Sequence, residues 1–121
     1  SDQLIEMASD AIEGSFVVNH LDFNDPDVKP FQEQYKAKYN KNLELNGYLV
    51  HDAFKLFEQA VKDANSTDSD AIAKALSTAK VEGITGKINI SPETHNPEGK
   101  EAAIIKITGG NYEFQEKYAA D

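Results

Sequence analysis

One helix sets most of the limits on this chain. Between residues 45 and 63, Leu49, Ala53, Leu56, Ala60 and Val61 recur at helical spacing, and Val50, Phe54 and Phe57 widen the stripe. A helix with one narrow apolar stripe lies on a single core. So broad an apolar surface requires cover on more than one side, so other layers must surround it. The segments on either side supply them. Residues 65–70 are a polar linker with Thr67 and Asp68 as caps, and residues 70–78 form a further helix that turns Ile72, Ala75, Leu76 and Ala79 inward. Upstream, residues 28–39 place Val28, Phe31 and Tyr35 on one face. Asp27 is the expected N-cap, Pro30 stands in the first turn, and Asn40-Lys41-Asn42 ends the helix.

The remaining chain has the period of strands. Residues 15–21 are apolar, β-branched and aromatic and read as a well-buried strand, preceded by a short helix over residues 3–8. The run Asp22-Phe23-Asn24-Asp25-Pro26-Asp27 is a turn. In the C-terminal part, Ile84, Gly86, Ile88 and Ile90 alternate with polar residues as a half-buried strand. Residues 91–99, with two prolines and a glycine, are a loop. Residues 102–108 and the stretch around Tyr112 and Phe114 are two strands joined at Gly109-Gly110. The expected order is α-β-α-α-α-β-β-β, an α/β or α+β domain.

Composition narrows the function. Twelve basic against twenty-one acidic residues give a net charge of −9. Such a chain is repelled by phosphate backbones and by anionic membrane surfaces, so no nucleic-acid partner is expected. With 40 % hydrophobic residues among 121, it has enough for a core. No apolar run approaches the roughly 20 residues of a spanning helix. The absence of cysteine removes disulfides, thiolate metal sites and thiol catalysis. The start at Ser1-Asp2-Gln3, with no Met and no visible leader, suggests a chain processed or cut from something longer.

No catalytic or metal-binding constellation emerges. Asp22, Asn24, Asp25, Asp27 and Glu33 offer oxygen ligands, but a calcium loop needs a ligand at its fifth position and Gly at its sixth, where Pro26 and Asp27 stand. His20, His51 and His95 are far apart, and the adjacent His51 and Asp52 are expected to diverge on a helix. Gly83-Ile84-Thr85-Gly86-Lys87 lacks phosphate-loop spacing and reads as a tight entry into a strand. No activated nucleophile is evident, and the carboxylates on helix faces read as solvated surface. The sequence points to no enzyme, no metal and no cofactor. Asn46-Gly47-Tyr48 remains, at the start of the long helix, where free N–H groups favour polar or anionic ligands.

Three blocks, in order, carry a resemblance. The first is Glu13-Gly14-Ser15-Phe16-Val17-Val18 followed by the acidic turn and the Phe31 to Tyr39 helix. The second is Gly47-Tyr48-Leu49-Val50-His51-Asp52-Ala53-Phe54. The third is the Ala71 to Leu76 helix followed by Glu82-Gly83-Ile84-Thr85-Gly86-Lys87-Ile88. Together they resemble the type I periplasmic binding proteins, specifically the branched-chain amino acid substrate-binding family of ABC transporters. His51 stands where Tyr is usual in that family's Tyr-Asp-Ala helix.

The resemblance implies an α/β fold, with residues 1–121 as the C-terminal portion of a two-lobed, hinged clamp. It implies hinge crossings near Gly14 and Ser15 and near Glu82 and Gly83, in the stretch 82–86. It places Asn46, with Tyr48 beside it, where an aromatic residue approaches the ligand in some members. The main ligand contacts would lie upstream of Ser1, so the site is expected to be incomplete. The implied role is the solute-binding component of an ABC importer, with an amino acid and the ABC permease as partners of the longer parent. The implied location is extracytoplasmic, in the periplasm or on the cell surface as a lipoprotein. A ligand-sensing domain of a receptor or regulator with the same fold, or a stand-alone interaction module, are the alternatives. Strands lacking upstream partners would have open edges, so self-association is expected, through those edges or by exchange of the N-terminal helix and strand or of the C-terminal hairpin.

Overall fold

Turns and left-handed residues punctuate the chain into helices first and strands later. The structure, a computed structural model, describes residues 2–119. Ser1, on which the reading of the chain's start rests, lies outside the described residues. The elements are α1 (Asp2–Ala8), a 3-10 turn (Ser9–Ile12), β1 (Phe16–Asn19), α2 (Lys29–Tyr39), α3 (Leu45–Ala64), α4 (Ser69–Leu76), β2 (Lys80–Gly83), β3 (Gly86–Ile90), β4 (Pro97–Glu98), β5 (Glu101–Thr108) and β6 (Asn111–Ala119). The first five expected helices and strands appear in order, followed by five strands instead of three. The described residues form two compact units: 2–44 with 101–119, and 45–100.

In the first unit β1, β5 and β6 form an antiparallel sheet in that order. Gly14, at φ +78°, turns the chain into β1 and donates its N–H to the Ile107 carbonyl at 2.9 Å, while the Ile107 N–H donates to Ser15 O at 2.9 Å. The expected β5–β6 hairpin turns at Gly109-Gly110, where the Gly109 N–H donates to Glu13 Oε1 at 2.9 Å. Strand alternation is clear along β5, which buries Ala103, Ile105 and Ile107. Leu21 and Val28 are the unit's other buried apolar residues.

Two expectations fail in this unit. The strand over residues 15–21 is only four residues long and is not well buried: Phe16 is 63 % and Val18 68 % exposed. β1 is an edge strand, and one of its faces has no covering layer among the described residues. Nor does Asp27 cap α2. The N–H of Asp27 is taken by Asp25 Oδ1 at 2.9 Å, as that of Asn24 is by Asp22 Oδ1, so the acidic run is occupied in closing its own turn. The cap position falls to Val28, which has no side chain to offer a hydrogen bond. At the other end, Asn40 takes the left-handed conformation (φ +53°) and stops α2.

In the second unit α4 is capped by Asp68, not Thr67: the Asp68 carboxylate accepts from the N–H groups of Asp70 and Ala71 at 3.1 and 3.0 Å. The single strand expected over residues 84–90 is instead the second half of a hairpin. β2 pairs antiparallel with β3, Gly83 opposite Gly86, and Ile84 and Thr85 form the turn between them. A short β4 lies inside the expected loop and pairs with β3, giving the sheet order β2-β3-β4. The buried apolar residues are Tyr48, Ala60, Ile72, Ala79 and Ile88. The long helix α3 therefore meets its core through one of its two apolar sides. On the other side Val50, Phe54 and Phe57 are 54 %, 70 % and 50 % exposed.

Candidate functional site

Of the two residues expected to approach a ligand, Asn46 is exposed in the first turn of α3 and Tyr48 is fully buried. Burial also pushes the Tyr48 hydroxyl above its ordinary pKa, so it remains protonated. Of the expected hinge residues, Gly14 and Ser15 lead into β1, while Glu82 and Gly83 end β2. The chain passes between its two units at residues 44–45 and 100–101.

The most organised polar cluster in the second unit surrounds Asp52. It sits mid-helix on the buried side of α3 and is 2 % exposed. Its Oδ1 accepts from the Ile84 N–H at 2.8 Å, and its Oδ2 accepts from the Thr85 N–H at 2.8 Å and the Thr85 hydroxyl at 2.6 Å. The Lys100 ammonium donates to Thr85 Oγ1 at 2.6 Å. One turn along α3, the Lys55 ammonium donates to the Glu82 carbonyl at 2.7 Å. A helix carboxylate thus holds a hairpin turn as though it were an anion in a nest of N–H groups. Gly83 is part of the arrangement, because a Cβ there would overlap the Asp52 carboxylate.

Two earlier expectations are corrected here. His51 and Asp52 do not diverge: His51 Nδ1 lies 3.1 Å from Asp52 Oδ1, because both side chains turn toward the same flank of the helix. Asp52 is also not a solvated surface carboxylate. Burial raises its pKa, but the hydrogen bonds from the Thr85 hydroxyl, the two backbone N–H groups and His51 outweigh burial and hold it below the ordinary carboxylate range. Lys100 is held below the ordinary lysine range by burial, which the Asp52 charge opposes. Residues Asp52, Thr85 and Lys100 were not singled out as a group by sequence. The available signal was the repeated glycine at 83 and 86 around a hydroxyl residue, 31 positions after an aspartate on an apolar face.

The cluster is a structural clamp rather than a reaction centre. Its hydroxyl is already donating to a carboxylate, and its carboxylate is saturated with donors. A shallow groove of about 630 Å³ runs along the outer side of α3, beside Phe54, Phe57 and Val61. Among the described residues no group of three or more His, Cys, Asp or Glu is placed to hold a metal ion. Nor is any described helix long and apolar enough to cross a membrane.

Residues 1–111 match the model of a family described as periplasmic binding protein. Solved structures give the same answer for the fold. The leucine-binding protein LivK of Thermotoga maritima is 28 % identical, with a TM-score of 0.76 over 97 % of this chain. A solute-binding protein of an ABC transporter from Rhodopseudomonas palustris BisB5, in complex with 3,4-dihydroxybenzoic acid, is 22 % identical with a TM-score of 0.77 over 98 %. The leucine-, isoleucine-, valine-, threonine- and alanine-binding protein of Brucella ovis is 17 % identical with a TM-score of 0.79 over 95 %. The chain spans about a third of the length of these structures, between 33 % and 34 %. A comparison with curated proteins returns no match.

Proposed function

We propose a solute-carrying function, because this chain belongs to the periplasmic binding protein family. The proposed role is part of the substrate-binding component of an ABC importer, outside the cytoplasm, that presents a small carboxylate-bearing solute to its permease. The observation that carries it is the family match over residues 1–111 together with a fold shared with a leucine-binding protein over nearly the whole chain. The chemistry agrees: a carrier needs a cleft and movable segments, not an activated nucleophile.

An amino acid is the first solute class, on the 28 % identity to a leucine-binding protein. A benzoate-type aromatic acid is the second, because similar folds occur in complex with benzoate and with 3,4-dihydroxybenzoic acid. Both classes present a carboxylate, for which the N-terminal turn of α3 at Asn46 is a suitable approach. In the proposed clamp Gly14-Ser15 and Glu82-Gly83 belong to the moving segments. Gly14, at φ +78°, already occupies a conformation few other residues tolerate.

Titration calorimetry tests the reading. Leucine, isoleucine, valine, benzoate and 3,4-dihydroxybenzoate are added in turn to the 121-residue chain and to any longer natural form containing it. The longer form is expected to bind one class in the micromolar range or tighter, and the 121-residue chain to bind weakly or not at all. Micromolar binding by the 121-residue chain would overturn the incomplete site. No binding of either class by the longer form would overturn the proposed solutes.

A further inference from the structure

The Asp52 clamp reaches beyond the turn it holds. Up to the end of β4 the chain is restrained by its backbone. Asn89 pairs with Glu98 and Ile90 with Pro97. The loop between them closes on itself: the Ser91 N–H donates to Asn96 O and the His95 N–H to Ser91 O, both at 2.9 Å. β5 begins at Glu101, in the first unit. Between β4 and β5 lie only Gly99 and Lys100. Gly99 stands at φ +64° and has no side chain by which to be held. Lys100 is the last described residue of the second unit, and its ammonium donates to Thr85 Oγ1 at 2.6 Å, 15 positions back in the sequence. We propose that Lys100 is a positioning residue: it ties the point where the chain leaves the second unit to the Asp52–Thr85 clamp, so that this crossing bends only beyond it, at the Lys100–Glu101 junction.

The chemistry of the tie selects these side chains. The Thr85 hydroxyl has one proton, which it gives to Asp52 Oδ2 at 2.6 Å, and a lone pair that accepts from Lys100. Cation, hydroxyl and anion thus form one line in which each hydrogen bond polarises the next. A serine at 85 would carry the same line, and a valine would not. A lysine ordinarily keeps its ammonium in water, yet Lys100 is half-buried. A lysine extended into solvent would leave Gly99 free to turn. The same helix also holds the β2–β3 hairpin, through Lys55 on the Glu82 carbonyl and Asp52 on the Ile84 and Thr85 N–H groups. The use of the tie rests on the solute-clamp reading. When such a clamp closes, α3, Glu82, Gly83 and Lys100 travel as one body, and Glu82 and Gly83 move without flexing.

Amide relaxation measured by NMR on the 121-residue chain tests the tie without any solute. The amides of Gly99 and Lys100 are expected to be as rigid as those of β2 and β3, with order parameters of about 0.85. Lys100→Met keeps most of the apolar stem and removes the ammonium. It is expected to lower the order parameters at positions 99 and 100 below about 0.6 and to leave those of α3 and of residues 82–86 unchanged. Thr85→Val is expected to have the same effect at 99 and 100, and Thr85→Ser to keep the values of the unmodified chain, with circular dichroism confirming that each variant folds. A contact that only added stability would lower the urea midpoint and leave these folded-state values where they are. Unchanged order parameters in Lys100→Met overturn the proposal, as do values already below about 0.6 at Gly99 and Lys100 in the unmodified chain. Failure of every solute to bind the longer natural form would overturn the solute reading and leave the tie standing.

Discussion

Replacing Asp52 by Ala removes the acceptor of three hydrogen bonds without disturbing the backbone of α3. The N–H groups of Ile84 and Thr85 then lose their partner, and the Thr85 hydroxyl loses the acceptor of its proton. A buried donor left unsatisfied costs about 1–3 kcal/mol. Removing one partner of a buried charged pair costs about 3–5 kcal/mol, because the groups left behind stay buried without it. We therefore expect Asp52→Ala to destabilise the second unit by about 3–5 kcal/mol, which is comparable to the whole stability of a unit of that size. Urea unfolding followed by circular dichroism should show the helical signal of α3 and α4 lost at much lower denaturant. Asp52→Asn keeps one carbonyl oxygen for the turn and should lose less. A change below about 1 kcal/mol for Asp52→Ala would refute the clamp. The same contact has a pH signature that needs no variant. The folded carboxyl titrates below its unfolded value near 3.9, so its contribution is present above about pH 4 and is lost as pH falls through the lower, folded value. The amide shifts of Ile84 and Thr85, followed by NMR on acidification, should report a midpoint below 3.9. A midpoint above the unfolded value would mean that burial, not hydrogen bonding, governs this carboxylate.

Three further substitutions separate packing from capping. Gly83→Ala is expected to destabilise the second unit by about 1–3 kcal/mol, because its Cβ would overlap the Asp52 carboxylate, and pairing it with Asp52→Ala should cost clearly less than the sum of the two. Asp68→Ala removes the acceptor for the Asp70 and Ala71 N–H groups and is expected to cost about 1 kcal/mol by the same urea assay, whereas Thr67→Ala should stay within about 0.5 kcal/mol.

The helices were legible because their signals are local. The α3 stripe, the Asp68 cap and the left-handed Asn40 each depend on residues within two turns of one another. The strands were less so. Alternation at residues 84–90 predicted a strand, yet Gly83 opposite Gly86 folds the segment back on itself. What decides between the two is Asp52, some 32 residues earlier and on another element. The missing cover over Phe16 and Val18 is of the same kind. A run of β-branched and aromatic residues announces a strand, but whether both its faces are buried depends on which elements pack against it.

The same distinction explains the candidate site. The Tyr48-to-Ala53 block was recognisable as a unit, but its residues divide sharply: Tyr48 and Asp52 point into the core, whereas Val50 and Ala53 face outward. Helical phase alone separates them, yet phase does not say which side meets the core when both sides are apolar. Asp52 does. A carboxylate of this kind is stable on a buried side only where donors wait for it, and the two turn amides and the Thr85 hydroxyl are the donors. An aspartate in the middle of an apolar helix, followed downstream by a Gly-x-Thr-Gly turn, therefore fixes the rotation of α3 about its axis. With that rotation fixed, Val50, Phe54 and Phe57 are turned away from the core of the second unit as a consequence.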